Sequence, residues 1–166
     1  MKPMFHVVKF FHYSSNPNNP SYKSAGDVFE EIGYDFEDLT KRSSQYNNTC
    51  AIRMSLALLK TGVVFSGRLR IKEGKFKGRS VEPGAKLLAD ELRKPHLFGK
   101  PMVFSKNTGV EQLDKALKEI GPKKGIILFH AIYGGSGGHI DLYESSGVCN
   151  SDCYFSAREI WFWPLA

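Results

Sequence analysis

Apolar and polar positions change their rhythm part-way along the chain. In the first two thirds the apolar residues recur at three- and four-residue intervals. Between Ser24 and Gly33, residues Val28, Phe29 and Ile32 share one helical face, and Gly33 closes the segment. A second helix is expected over Cys50–Lys60, where Met54, Ala57 and Leu58 follow Cys50 at helical spacing. Asn48 or Thr49 caps its start with a short side-chain oxygen, and Gly62 supplies the left-handed residue past its end. A third helix is expected over 85–93, with Leu87, Leu88 and Leu92 as its core face and Pro95 as its stop. A fourth opens on a capping box of Thr108 and Glu111, turns Leu113, Leu117 and Ile120 inward, and ends at Gly121-Pro122.

The C-terminal third reads with the period of strands. Residues 124–133 form a continuous apolar run rich in β-branched and aromatic side chains, the mark of a buried strand. A glycine-rich turn at 134–138 leads into His139-Ile140-Asp141-Leu142-Tyr143-Glu144, which alternates polar and apolar positions. A turn at 145–147 follows, and 159–164 is a last strand. Helices first and an antiparallel meander afterwards predict an α+β fold. Residues 63–84 fit neither rhythm. They carry Arg68, Arg70, Lys72, Lys75, Lys77 and Arg79 among glycines, and read as a basic loop or irregular hairpin.

Composition narrows the classes. At 166 residues the chain is expected to be one domain spanning 1–166. A hydrophobic content of 42% places it with globular proteins and not with disordered ones. The net charge of +6 favours approach to an anionic surface, but no run of four or more basic residues exists, so nucleic-acid binding is not expected. No apolar stretch is long enough to span a bilayer, so membrane insertion is not expected. The N-terminus lacks the apolar core and cleavage site of a Sec signal peptide. Synthesis in the cytoplasm, with any export by another route, is the expectation.

Three cysteines then change the picture. Cys149 and Cys153 form a close pair, fit for a bridge or a metal, while Cys50 stands alone. Zinc would need two more ligands, and only His130 and His139 lie near in sequence, so no metal or cofactor is expected. Cys50 falls at the first turn of its helix, where the dipole favours a thiolate. Cysteine-based acyl transfer also needs a base and a group that orients it. His139 follows the glycine-rich turn, which leaves room beside its ring. His130 lies within an apolar run and reads as a packed histidine, and His6, His12 and His96 are set aside. Asp141 lies on the same strand face as His139, about 7 Å along. Asp152 comes from a neighbouring segment, which can place a carboxylate beside the ring more easily, so it is preferred over Asp141.

Taken together, Cys-Ala-Ile-Arg-Met-Ser at 50–55, Gly-Lys-Pro at 99–101, Lys-Lys-Gly-Ile-Ile at 123–127, Gly-His-Ile-Asp-Leu at 138–142 and the Cys149/Cys153 pair carry a resemblance. From about residue 46 onward the chain resembles the fourth family of type VI secretion amidase effectors, small papain-like cysteine peptidases of the NlpC/P60 type. The resemblance implies an antibacterial toxin, injected into a rival's periplasm, that hydrolyses the D-glutamyl–meso-diaminopimelate amide of peptidoglycan stem peptides. It implies Cys50 as nucleophile, His139 as base and Asp152 as third residue, with Asp141 as the alternative. The Cys50 backbone N–H would receive the oxyanion. A Cys149–Cys153 disulfide and a cognate immunity protein that blocks the cleft are implied as well. The competing expectations are an acyltransferase or transglutaminase-like enzyme on the same scaffold, and a non-enzymatic wall-binding module using the basic 68–79 loop.

Overall fold

The computed structural model describes residues 1–105, 111–134 and 136–166, with backbone alone at 111–113 and 136. The helices are α1 (Phe5–Phe11), α2 (Ala25–Glu31), α3 (Phe36–Arg42), α4 (Cys50–Lys60), α5 (Ala85–Leu92) and α6 (Glu111–Ile120). The strands are β1 (Leu69–Arg70), β2 (Ser80–Val81), β3 (Met102–Ser105), β4 (Lys124–Tyr133), β5 (Ser136–Glu144), β6 (Val148–Cys149) and β7 (Glu159–Leu165). Strands β1 and β2 pair as a minimal hairpin inside the basic segment, and the other five form one antiparallel sheet ordered β3-β7-β4-β5-β6. The α+β expectation therefore holds.

Alternation along β4 serves two cores, because successive side chains of a strand point to opposite faces. Ile126 and Leu128 join α4 and α5 in the larger core, together with Trp161 and Trp163 of β7. Ile127 and Phe129 join Ala116 and Ile120 of α6, Phe162 and Tyr143 in the smaller one. With both faces covered, β4 reads as an unbroken apolar run.

Helix α4 is the rigid centre. All its residues from Cys50 to Leu59 are buried, so it is enclosed on every side rather than along the stripe that its spacing suggested. Truncating one fully buried side chain in such a helix, Leu58 for example, costs about 2–5 kcal/mol. Gly62, at φ 89°, ends it in the left-handed conformation expected there.

Some elements differ from their sequence pattern. Leu87 is 49% exposed, and the inward face of α5 is Ala85, Leu88, Ala89 and Leu92. From Ala85 those residues follow the three-to-four-residue step, and Leu87 falls off it. The capping box of Thr108 and Glu111, the inward turn of Leu113, and Gly135 lie outside the described residues. Helix α3 starts where the Asp35 side chain accepts the Asp38 N–H at 2.8 Å, and it buries only Leu39, which left little apolar period to read. Helix α1 docks its first residue on the far end of the sheet, with the Phe5 N–H donating to the Ala166 carbonyl at 2.7 Å.

Candidate active site

The start of α4 is joined to β5 by one side chain. Asn48 Oδ1 accepts the Cys50 N–H at 3.3 Å, and Asn48 Nδ2 donates to the Gly138 carbonyl at 2.7 Å. Of the two expected caps, Thr49 occupies the cap position but makes no capping bond. Its hydroxyl instead accepts from Arg53 Nε at 2.8 Å. Asn48 thus sets the spacing between helix and strand, and Cys50 Sγ lies 3.9 Å from the carbonyl of Gly138, the residue before His139.

His139 and Asp141, two residues apart in β5, project from the same face. Their contact is direct, with His139 Nε2 3.0 Å from Asp141 Oδ2. Nδ1 is left for Cys50, whose side chain is the ring's other hydrogen-bonding neighbour. Phe129, paired across from His139 in β4, stacks on the ring at 6.3 Å, and Tyr154 meets it edge-on at 5.0 Å. Cys50 and His139 are both 7% exposed and Asp141 is wholly buried.

The third position corrects the preference for Asp152. Asp152 is exposed, and its carboxylate accepts from the Cys153 N–H at 2.8 Å. What its loop gives to the site is backbone. The N–H groups of Ser151 and Asp152 donate to Asp141 Oδ2 at 2.9 and 3.1 Å, and the Leu142 N–H donates to Oδ1 at 2.8 Å. The Cys149–Cys153 disulfide closes that loop, with its Cα atoms 5.4 Å apart. Cys50 is the free thiol.

Charge follows from this geometry. Burial works against a charged His139, but the hydrogen bonds to Asp141 and Cys50 and the charges of both outweigh it, raising the imidazole from 6.5 to about 10. Burial likewise opposes ionisation of Asp141, yet the His139 hydrogen bond, the facing histidines and the Ser151 N–H hold its carboxyl below the usual range. Arg53, 2% exposed, spends its guanidinium on the carbonyls of Ser14 at 2.9 Å and Lys23 at 2.6 Å. Burial lowers Arg53, while Tyr22, Cys50 and Asp141 act the other way.

Two histidines depart from their sequence reading. His130 is half-buried and lines a groove of about 310 Å³ beside the site, with Asn48, Arg68, Gly84, Lys86 and Gly138. Arg68 there is paired with Glu82 at 2.6 Å. His12 is 2% exposed and lies 3.9 Å from Asp141. No local pattern marks His12, because its side-chain partners are more than a hundred residues away in sequence, and none marks Asn48 as the bridge to Gly138, 90 positions on. A larger cavity of about 440 Å³, lined by Phe10, Phe11, Ile32, Lys60 and Phe76, sits at the opposite end of α4, about 15 Å from Cys50 by helix rise.

Burial depresses His12 from 6.5 to about 4, with Arg53 and His139 adding to the effect and Asp141 opposing it. Below pH 6.5 the unfolded chain takes up a proton that folded His12 refuses. Stability is therefore expected to fall by roughly 3 kcal/mol between pH 6.5 and 4. His139, raised in the folded state, has delivered nearly all its contribution by pH 6.5 and gains only about 0.4 kcal/mol more as the unfolded imidazole finishes protonating, which offsets little of the fall. Urea midpoints measured across it check this, and His12→Gln should flatten the decline.

A family model described as type VI secretion system amidase effector protein 4 matches residues 46–163. Among solved structures, the chain is similar to the Tae4–Tai4 effector–immunity complex of Salmonella Typhimurium at 20% identity and TM-score 0.64, with all of both chains covered. It is similar also to Tae4 of Enterobacter cloacae at 21% identity and TM-score 0.57, covering 100% of this chain and 98% of that one. No curated protein sequence matches it. The shared architecture is a papain-like α+β fold.

Proposed function

We propose that this chain, which belongs to the type VI secretion amidase effector 4 family, is a cysteine amidase that hydrolyses the D-glutamyl–meso-diaminopimelate amide of peptidoglycan stem peptides. The observation that carries the reading is the line Cys50–His139–Asp141. It pairs a free thiol at a helix start with an imidazole raised to about 10 and a buried carboxylate. An imidazolium at neutral pH is the natural partner of a thiolate.

In the proposed reaction the Cys50 thiolate attacks the amide carbonyl carbon, and the carbonyl π electrons move to oxygen. The Cys50 N–H receives that oxyanion, and Asn48 Oδ1, which holds the N–H at 3.3 Å, gives way. The C–N bond then breaks, and the proton on His139 goes to the departing amine. His139, now neutral, takes a proton from water as the hydroxide attacks the thioester. Thiolate and imidazolium are regenerated. Asp141 fixes the tautomer and angle of the ring throughout.

Family membership supports action on a rival's cell wall after delivery by type VI secretion, in the periplasm. The solved complexes of Tae4 with Tai4 support a cognate immunity protein for this chain too; blocking the Cys50 cleft is the way we propose it acts. The experiment is to incubate the protein with purified peptidoglycan and weigh the fragments by mass spectrometry. Glycan-bound stems ending at D-glutamate, and released peptides beginning at meso-diaminopimelate, are expected. Intact muropeptides would sink the reading, and fragments carrying an added amine in place of water would replace hydrolysis with transfer.

A further inference from the structure

The N-terminal segment enters the site from outside the region matched by the family model, which begins at residue 46. Ser14 Oγ donates to the Asn150 carbonyl at 2.7 Å, the Ser15 N–H donates to Ser151 Oγ at 3.0 Å, and Asn19 Nδ2 donates to the Asn150 carbonyl at 3.0 Å. These bonds fasten residues 14–19 to the loop whose N–H groups hold Asp141. His12 arrives on the same segment. Its Nδ1 lies 2.6 Å from Asn150 Nδ2 and its Nε2 lies 3.9 Å from Asp141 Oδ1.

The neighbours determine the tautomer. Asn150 Oδ1 accepts from Asn19 Nδ2 at 3.3 Å, so the amide nitrogen is the end that faces His12. An amide nitrogen donates and does not accept. His12 Nδ1 is therefore the acceptor, and the ring proton sits on Nε2. That buried N–H has no hydrogen-bond partner among the described residues, and the carboxylate of Asp141 is the anion it faces. Among the described residues, Asp141 Oδ2 is occupied by three donors, His139, Ser151 and Asp152, while Oδ1 receives only the Leu142 N–H. Each carboxylate oxygen offers about two acceptor sites, so Oδ1, with its single donor, is the side that stays open toward His12.

We infer that His12 is a positioning residue for the Asp141–His139 pair: a neutral, buried ring whose Nε2–H dipole, 3.9 Å from Oδ1, favours the ionised Asp141 and keeps its Oδ2 turned to the catalytic ring. The inference rests on the role proposed above for Asp141. Neutrality matters because a charged His12 would compete with His139 for the same carboxylate. Arg53 and His139 both face His12 and disfavour a further positive charge there, Cys50 lies beyond His139, and burial leaves His12 uncharged down to about pH 4.

Two variants separate positioning from packing. His12→Phe keeps the bulk and removes the donor; His12→Gln returns an N–H to the place of Nε2. On soluble muropeptides, kcat of His12→Phe is expected to fall about 10-fold or more with KM unchanged. The His139 titration, read by nitrogen NMR, is expected to move down from about 10. His12→Gln should restore both. If His12→Phe does not fold, His12→Asn takes its place with the same expected loss, since its amide reaches Asn150 but not Asp141. Wild-type kcat and titration in the donor-less variant, or equal losses in His12→Gln, would overturn the inference. The titration needs no substrate. Failure of the wild type to cut peptidoglycan would therefore end the amidase reading, while His12 would still be decided.

Discussion

Cys50→Ala is expected to lower amidase activity by about 10⁴-fold or more while leaving the fold intact. Without the sulfur no acyl-enzyme forms, and the groove is left to bind substrate and do nothing further. The substitution removes one atom from a site that is 7% exposed, at a stability cost on the order of 1 kcal/mol. Loss of turnover with an unchanged circular dichroism spectrum would therefore report chemistry and not unfolding. The same variant carries a second expectation. Cys50 contributes through its hydrogen bond and charge to the elevation of His139. Its removal should bring the imidazole titration down from about 10. Equal fragment release by wild type and variant would end the nucleophile assignment.

Asp141→Asn is expected to cost about 10³ to 10⁴ in kcat, and Asp152→Asn no more than a few-fold. The two carboxylates differ in what they touch. Asp141 meets the ring at 3.0 Å and is wholly buried, whereas Asp152 is exposed and caps its own loop. An amide at 141 would present the ring with a donor on one rotamer. That rotamer would also set the donor against the N–H groups of Ser151 and Asp152, and the other would set it against the Leu142 N–H. The pH profile sharpens the contrast. His139 is raised above its ordinary 6.5 to about 10, so the imidazolium persists through neutral pH and is lost as pH rises through about 10. Removing the hydrogen bond and charge of Asp141 should bring the alkaline limb of kcat/KM to lower pH in Asp141→Asn. In Asp152→Asn it should stay in place. The reverse ranking would return the third position to Asp152.

Sequence made the scaffold legible where local physics decides it. The run at 124–133, the alternation from His139 to Glu144 and the Cys50 helix were readable because strand and helix periods are written in consecutive residues. Helices α1 and α3 were not, since seven residues burying one or two side chains leave little period to detect. In the site, Cys50 and His139 carried their own signals: a lone thiol at a helix start, and a histidine after glycines. Asp152 drew attention because it lies between two cysteines. The structure uses the backbone of that loop and takes the carboxylate from the strand itself. Such a choice depends on how a loop folds back over a strand, which residue identity does not record. His12 and Asn150 meet across 138 positions, beyond the reach of any local pattern.

The place of β7 between β3 and β4 bears on when the cluster can exist at all. Ribosomal synthesis delivers β3 and β4 first and leaves them without the strand that joins them. Until residues 159–165 emerge, Phe129 lacks its partner Ile160, and both cores lack the aromatic side chains of Trp161, Phe162 and Trp163. Pairing across such long stretches of chain is slow to form, because loop-closure entropy is spent before any contact rewards it. The two cores are therefore expected to close together, once β7 has joined β3 to β4. A fragment that stops before Glu159 is expected to lack the assembled Cys50–His139–Asp141 cluster, since the sheet that carries it is left unjoined.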